Sequence, residues 1–579
     1  MSYDLMFQKA VELQQNGALN EAEKIYRQIL EVSPQNVNVW NMLGLIAQTK
    51  GLHDGAIDCF YQAIKGAPNH FPLYFNLAVS YSALGKYAEA IEAYKKVLLL
   101  QPDLVEAHYG LGKIYWQTGE NDKAIDEFSM AKQYLPAQID LAELREDIES
   151  LRKYALSENP TALFYLGRRS FDKGNYETAE NYLTKADILA ESAEIKELLA
   201  QTKDKLGKKG EALKIYYQAL TLDNNDAVLT RIADLEADND NKKTAEKLYK
   251  KALEHNPQNL AAHTNLANLL FRQNRVAEAL EEYRQAIIIA PEKPELTYNL
   301  GVVLKSTGDY EQALTLMFQA YYDSPEYDDW ALGIAETLTL LAEKESQKAQ
   351  VISKNWLDKM PQNTVARHIN AVLNNRLSDC EKEYNRLLFD YFAADYEKTL
   401  SNIKYSAVNK IADLDADFRG KILDLGCGSG LVGQRLKSPQ NSFTGVDISA
   451  RMIALARQKN VYEEFYEGDI VEYLSQHKNN LSPIIIAADV FCYFADLCSI
   501  FELCYPSKLI FSVESDTKTK DYKIYATGRV KHNPRWIKEK LKKVGYKNIY
   551  TENLVLRQEN GVDVDGVLFV ADVQVPKNS

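Results

Sequence analysis

Lys421-Ile422-Leu423-Asp424-Leu425-Gly426-Cys427-Gly428-Ser429-Gly430 carries a short apolar run straight into a turn with glycine at every second position. An apolar run bounded by such a turn predicts a buried β-strand. Reading outward, further apolar runs predict strands at Ser442–Asp447, at a segment ending near Gly468 and Asp469, at Pro483–Asp489 and at Lys508–Glu514. Two more are predicted at Asn548–Leu556 and Val567–Val573. Helical stretches separate these runs, and that alternation predicts a parallel sheet covered by helices, an α/β Rossmann-like domain. Residues 363–415, ahead of the first strand, read as a helical lead-in.

Glycine-rich turns after a strand serve several nucleotide-binding folds, so the residues around the turn decide the ligand. A dinucleotide fold seats a pyrophosphate over such a turn, at a helix N-terminus. A carboxylate at Asp424, two residues before Gly426, would repel that group. S-adenosyl-L-methionine (SAM) carries no phosphate, and its ammonium and sulfonium both favour a nearby carboxylate. The D-x-G-x-G-x-G pattern of Asp424, Gly426, Gly428 and Gly430, with Cys427 inside it, resembles motif I of the class I SAM-dependent methyltransferases. Asp447 ends the next strand, 21 positions after Gly426, where an acid accepts hydrogen bonds from ribose hydroxyls. Val446 to Met452 resembles the second motif of that family, and Gly468-Asp469-Ile470 resembles the third. The resemblance implies that Ile448 and Met452 pack on the adenine, and that Asp469 and the Ile470 backbone read its edge.

Phe389-Asp-Tyr-Phe-Ala-Ala-Asp-Tyr-Glu-Lys398 resembles the helix that lids the cofactor in small-molecule members of the family, which makes Tyr391, Phe392 and Tyr396 lid candidates. The acceptor side has fewer markers. Asp489-Val-Phe-Cys-Tyr-Phe494 is not the Asn-Pro-Pro-Tyr type of amino-nitrogen methylases, and Asp489 could hold either the methionine moiety or the acceptor. Gly528-Arg529-x-x-His532, followed by an amphipathic helix at Pro534–Val544 and Gly545-Tyr546, resembles a group of predicted methyltransferases that carry tetratricopeptide repeats. By that resemblance His532 is a candidate general base, since imidazole suits proton transfer near neutral pH, and Arg529 a candidate anchor for an anionic acceptor. The lysines of 538–547 read as a solvated face.

Upstream the sequence repeats. Trp40, Leu43, Gly44, Ala56, Phe60, Ala63 and Pro68 return 34 residues later as Tyr74, Leu77, Ala78, Ala90, Tyr94, Val97 and Pro102. They return again as His108, Leu111, Gly112, Ala124, Phe128, Ala131 and Pro136, and an earlier unit holds Met6, Ala10, Ala22, Tyr26, Ile29 and Pro34. Small residues suit a close crossing of two helices, large ones fill the gap to the next pair, and the proline ends the second helix. The pattern resembles the tetratricopeptide repeat (TPR) family. It stops over the charged stretch 139–159, expected to be a longer helix or an irregular joint, and resumes near 160. About nine repeats and a degenerate unit at 328–362 place an all-α superhelix at 1–362, ahead of the methyltransferase-like domain at 363–579. The resemblance implies a groove that binds a protein or peptide partner. Asn76, Asn265 and Asn299 share one place in their repeats. In related arrays asparagines there line the groove, where an amide both donates to and accepts from a peptide unit.

The chain has 579 residues and a formal net charge of −13, which argues against bulk nucleic-acid binding. Met1–Gly17 carries helical periodicity with charges instead of a signal peptide, and the absence of a long apolar run predicts no membrane insertion. The six cysteines form no C-x-x-C pair and read as reduced thiols of a cytoplasmic protein, with no metal site. Three functional readings follow. The repeats could present a polypeptide to a SAM-dependent methyltransferase. They could instead dock a small-molecule or glycan methyltransferase to a partner complex. The chain could also be an interaction scaffold with an inactive SAM-binding domain. Oligomeric state stays open.

Overall fold

A computed structural model describes residues 3–376, 378, 380–414, 416–559 and 561–573. The first two residues of the predicted N-terminal helix lie outside that range, and Tyr3–Gln15 is helical. The chain packs as two compact units, Met1–Pro257 and Gln258–Ser579.

The first unit is a stack of antiparallel helix pairs, exemplified by Val37–Thr49 with His53–Gly66 and Phe71–Ala83 with Tyr87–Leu100. The repeating small residues mark the crossings. A Cβ on Gly44 would lie 2.4 Å from the Phe60 ring, one on Gly112 2.7 Å from Phe128, and one on Gly167 2.6 Å from Leu183. Alanine and aromatic residues such as Ala56, Phe60, Tyr94 and Phe128 are buried between the pairs.

The stretch 139–159 is neither a longer helix nor an irregular joint. Two shortened helices, Leu135–Leu144 and Ile148–Leu156, continue the stack. Pro136 lies in the first turn of the former, so here the proline opens a helix instead of closing one. Glu146, with φ 56°, makes the turn, and the Asp147 carboxylate caps the second helix by accepting from the Ser150 N–H. Ile139, Ala142 and Leu151 supply the buried face that the surrounding charges mask in the sequence.

The second unit begins with two full pairs, Leu260–Arg272 with Val276–Ile289 and Pro294–Thr307 with Tyr310–Asp323. Asp328–Lys359 follows, a long helix bent at Glu345 into the two arms of the degenerate repeat, and then Thr364–Leu373. Helices Glu381–Phe392 and Tyr396–Asn402 lead to the α/β domain.

Among the described residues nine strands follow: β1 Gly420–Leu425, β2 Asn441–Asp447, β3 Glu464–Glu467, β4 Ile484–Ala487, β5 Lys508–Glu514, β6 Tyr522–Ile524, β7 Val530–His532, β8 Asn548–Glu559 and β9 Val562–Asp572. Seven form one sheet in the order β3-β2-β1-β4-β5-β9-β8. The first five are mutually parallel, and β9 pairs antiparallel with both β5 and β8. All of Ile484-Ile485-Ile486-Ala487 is buried, as expected for a central strand covered on both faces. Strand order reverses between β1 and β4, and ligands of open α/β sheets bind beyond the strand ends at such a switch point. β6 and β7 form a separate antiparallel hairpin that was not apparent in the sequence. Among the described residues, no helix is long and apolar enough to cross a membrane.

Candidate functional site

The turn after β1 needs glycine for two separate reasons. Gly426, Gly428 and Gly430 have φ of 64°, 53° and 86°, a left-handed conformation that glycine adopts without steric cost. A side chain at Gly426 would also meet Val490 at 2.4 Å. With the turn folded this way, the Gly428 N–H points at Asp447 and donates to its Oδ2 at 2.8 Å. The Ser449 N–H donates to Oδ1 at 2.9 Å. Burial pushes the Asp447 carboxyl up to about 6, and these backbone donors oppose the shift. The Ile448 N–H adds a third backbone donor, and Asp447 itself borders the cavity described next.

Gly426, Gly428, Asp447, Ile448, Asp469 and Ile470 all border one cavity of about 500 Å³, within the range of small-molecule sites. Helix Glu381–Phe392 covers it with one face, since Glu381, Asn385, Phe389 and Phe392 all line it. Tyr396, at the start of the next helix, also lines it, and its ring lies 3.5 Å from where a Gly428 Cβ would be. The Ser449 hydroxyl donates to Asp390 at 2.6 Å, and the Ser429 hydroxyl donates to Glu397 at 2.8 Å. These two bonds tie the lid helices to the loops after β2 and β1.

Several residues expected at the cofactor stand behind this wall. Asp424 shares a sheet face with Ile422, by the two-residue period of a strand, and does not border the cavity. Its Oδ2 accepts from the Tyr462 hydroxyl at 2.6 Å, its Oδ1 has no partner among the described residues, and burial pushes it up to about 7. Cys427 turns its thiol toward Gly445 and donates its N–H to Val446 O. Gly430 packs on Ala456, and Met452 is fully buried in helix Ala450–Gln458. Asp469 borders the cavity but caps helix Ile470–His477, its Oδ1 accepting from the Val471 and Glu472 N–H groups at 3.0 Å. Tyr391 is 46% exposed and not part of the lid lining.

The acceptor side departs further from expectation. His532 lies on β7, fully buried and stacked on Trp536 at 6.1 Å, and it does not border the cavity. Burial lowers it to about 4, which makes it a weak base, and its distance from the cavity lining does not fit the expected role of general base. Arg529, on the β6–β7 turn, does reach the cavity. It donates to Asp489 Oδ2 at 2.8 Å and to the Tyr493 hydroxyl at 3.0 Å, and pairs with Glu514. Arg557 completes the cluster, donating to Glu514 at 2.6 Å, to Glu559 at 2.6 Å and to Asp489 at 3.4 Å. A β-bulge between Val555 and Arg557 aims its side chain inward. Burial pushes the Glu514 carboxyl up, but the two guanidiniums outweigh it and hold it below its usual range. Asp489, Cys492 and Glu514 bring metal-ligating atoms within 4.8 Å of one another, yet the Arg529 guanidinium already serves all three. Sequence reading missed Arg557, Glu514, Tyr493, Glu381 and Asn385, because only folding brings them to one cavity.

Of the three asparagines, Asn76 donates to Asn41 of the preceding repeat at 3.1 Å. Asn265 and Asn299 are half-buried on the first helices of their pairs, in the other compact unit.

The family profile described as "Methyltransferase domain" matches residues 422–505. "Tetratricopeptide repeat" profiles match residues 7–70, 230–294, 193–226 and 270–336, among other segments. The chain carries tetratricopeptide repeats and a methyltransferase domain. A TPR repeat-containing protein of Methanocaldococcus jannaschii is 23% identical over 306 residues, 46% of this chain and 52% of that protein. YqeM of Bacillus subtilis, assigned by its name to the methyltransferases, is 27% identical over 143 residues, 23% of this chain and 58% of its own length. The chain thus spans little more than half the length of either relative. Among solved structures, a tetratricopeptide repeat protein from Parabacteroides merdae aligns with a TM-score of 0.32 at 19% identity, over 46% of this chain and 98% of that one. Gly426, Gly428, Asp447, Asp469 and Asp489 lie within the matched methyltransferase segment, whereas the lid helix, Arg529 and Arg557 lie outside it.

Proposed function

We propose that this protein is a SAM-dependent methyltransferase whose repeats, at 1–362, recruit a protein substrate or partner to the domain at 363–579. The observation that carries the cofactor reading is Asp447, fixed by the Gly428 and Ser449 N–H groups at the border of the cavity. In this reading Asp447 accepts the ribose hydroxyls, Ile448 and Ile470 flank the adenine, and Gly426, Gly428 and Tyr396 surround the methionine end. When bound, SAM supplies a methyl group on a sulfonium, open to in-line attack. The chain's own contribution is positional. Tyr396, Phe389 and Phe392 exclude water, and the Arg529–Asp489 pair presents fixed charge where the acceptor enters.

Asp489 is held by two guanidiniums, so it serves to orient a donor group on the acceptor. Arg529 is matched by carboxylates, which weakens its reading as an anchor for an anion. The enclosed aromatic lining favours a second reading, a small-molecule acceptor with the repeats acting as a dock. We place the work of the protein in the cytoplasm.

Calorimetric titration of SAM and S-adenosylhomocysteine (SAH) tests the cofactor reading. Binding of about −8 kcal/mol to the parent, with a loss of at least about 2 kcal/mol in Asp447→Ala, is the expected result. No binding of either ligand by the folded parent rejects it. A labelled-methyl search for acceptors, with full chain and with residues 258–579, then separates polypeptide from small-molecule substrates.

A further inference from the structure

The lid helix follows the cavity in a definite order. Lys382, near its start, lies 3.2 Å from Asp469. Asp390, two turns on, meets Ser449 just after Asp447. Tyr396, beyond its end, faces Gly428. The lid therefore runs from the Asp469 end past Asp447 to the glycine turn. In the cofactor reading above, on which this inference rests, that is the order adenine, ribose, methionine.

Two polar side chains face the cavity at the adenine end. Glu381 and Asn385 are four residues apart, so they share a helix face. Among the described residues neither makes a side-chain hydrogen bond or ion pair, although both border the cavity. Burial is the sole influence on Glu381 and lifts its carboxyl to about 7, the mark of an acceptor that lacks a donor. Asp469, the side chain that the family resemblance assigns to the adenine, has Oδ1 engaged by two helix N–H groups and by Lys382.

We propose that Glu381 and Asn385 read the Watson–Crick edge of the adenine: Glu381 accepts from the 6-amino group, and the Asn385 amide donates to the adjacent ring nitrogen. That edge offers one donor beside one acceptor, the complement of a carboxylate beside an amide N–H. The base specificity of the site then comes from the lid as well as from the sheet.

The test compares SAH with its 6-oxo analogue, S-inosylhomocysteine, by calorimetry on the full chain at about pH 8, where the Glu381 carboxyl is ionised and can only accept. The analogue replaces the amino donor with a carbonyl acceptor and protonates the ring nitrogen. The parent is expected to prefer SAH by at least about tenfold, because the analogue sets two acceptors against each other. In Glu381→Gln, whose amide can donate to the carbonyl, the preference falls to about threefold or less. Asn385→Ala weakens SAH by about threefold or more. Asp447→Ala weakens both ligands alike and reports on the site as a whole. Circular dichroism and melting temperature confirm that each variant is folded. A full tenfold preference retained in folded Glu381→Gln overturns the assignment while leaving the cofactor reading intact. Failure of the parent to bind either ligand overturns the cofactor reading, and this assignment with it.

Discussion

His532 and Asp424 are buried, titratable, and shifted in opposite physical senses. His532 is held neutral, lowered from 6.5 to about 4. Between those values the unfolded chain binds the proton that the native state refuses, so stability falls as pH drops from about 6.5 toward 4. Asp424 is raised from 3.8 to about 7. Over that window the native state holds the extra proton, so stability falls as pH rises toward 7. His532→Phe should therefore gain on the parent, by on the order of 2 kcal/mol, when denaturant unfolding is moved from pH 7.5 to pH 5. Asp424→Asn should gain in the opposite direction. Equal differences at the two pH values for either variant would show that its residue titrates normally in the fold. The same two residues mark what can be read from a sequence. The motif spacing placed Asp424 beside the glycine turn correctly but could not say which sheet face its side chain takes. His532 had the right chemistry for a base and the wrong address, because its three-residue strand gives no periodicity to reveal that it points inward.

At the scale of elements, helix Glu381–Phe392 separates two environments. One face, Glu381, Asn385, Phe389 and Phe392, lines the cavity. The other, Tyr384, Leu387 and Leu388, joins the core built by the last repeats. Tyr384 stacks on His368 at 3.7 Å with planes 7° apart. The β6–β7 hairpin that carries Arg529 is tied to the same helices, as Thr339 donates its hydroxyl to Ala526 O at 3.1 Å. Tyr384→Ala should cost about 3–5 kcal/mol of stability, measured by denaturant unfolding of residues 258–579. Phe389→Ala should instead leave most of the stability and weaken SAH in calorimetry. If both variants lose stability and affinity in the same proportion, the helix does not divide its faces this way. The sequence of this helix is amphipathic on both readings, aromatic on either side. Periodicity alone marks it as helical and cannot assign Tyr391 to the exposed side and Phe389 to the cavity. The glycine turn, Asp447 and the parallel strands were legible because their spacing is local. Arg557 was not, since it lies 68 residues from the Asp489 it contacts.

At the scale of the molecule, the change from repeat to α/β domain is clear in the sequence near 362, but the packing of the second unit ignores it. Trp356, from the degenerate repeat, and Val365, Ile369 and Leu373, from helix Thr364–Leu373 just beyond it, are buried in one cluster with Tyr384 from the lid. A fragment beginning at 376 keeps every residue that borders the cavity, yet it removes the partners of the lid's apolar face. That face would then present Tyr384, Leu387 and Leu388 to water, at about 1.5–3 kcal/mol for each fully re-exposed side chain. With the lid unsupported, its bonds to Ser429 and Ser449 have nothing to hold the helix over the cavity. The fragment 258–579 should therefore unfold in one cooperative transition and bind SAH within about threefold of the full chain. The fragment 376–579 should melt earlier and bind at least about tenfold more weakly. Comparable melting and affinity for the two fragments would mean that the lid is held by the α/β domain alone, and that the last repeats serve only the stack they end.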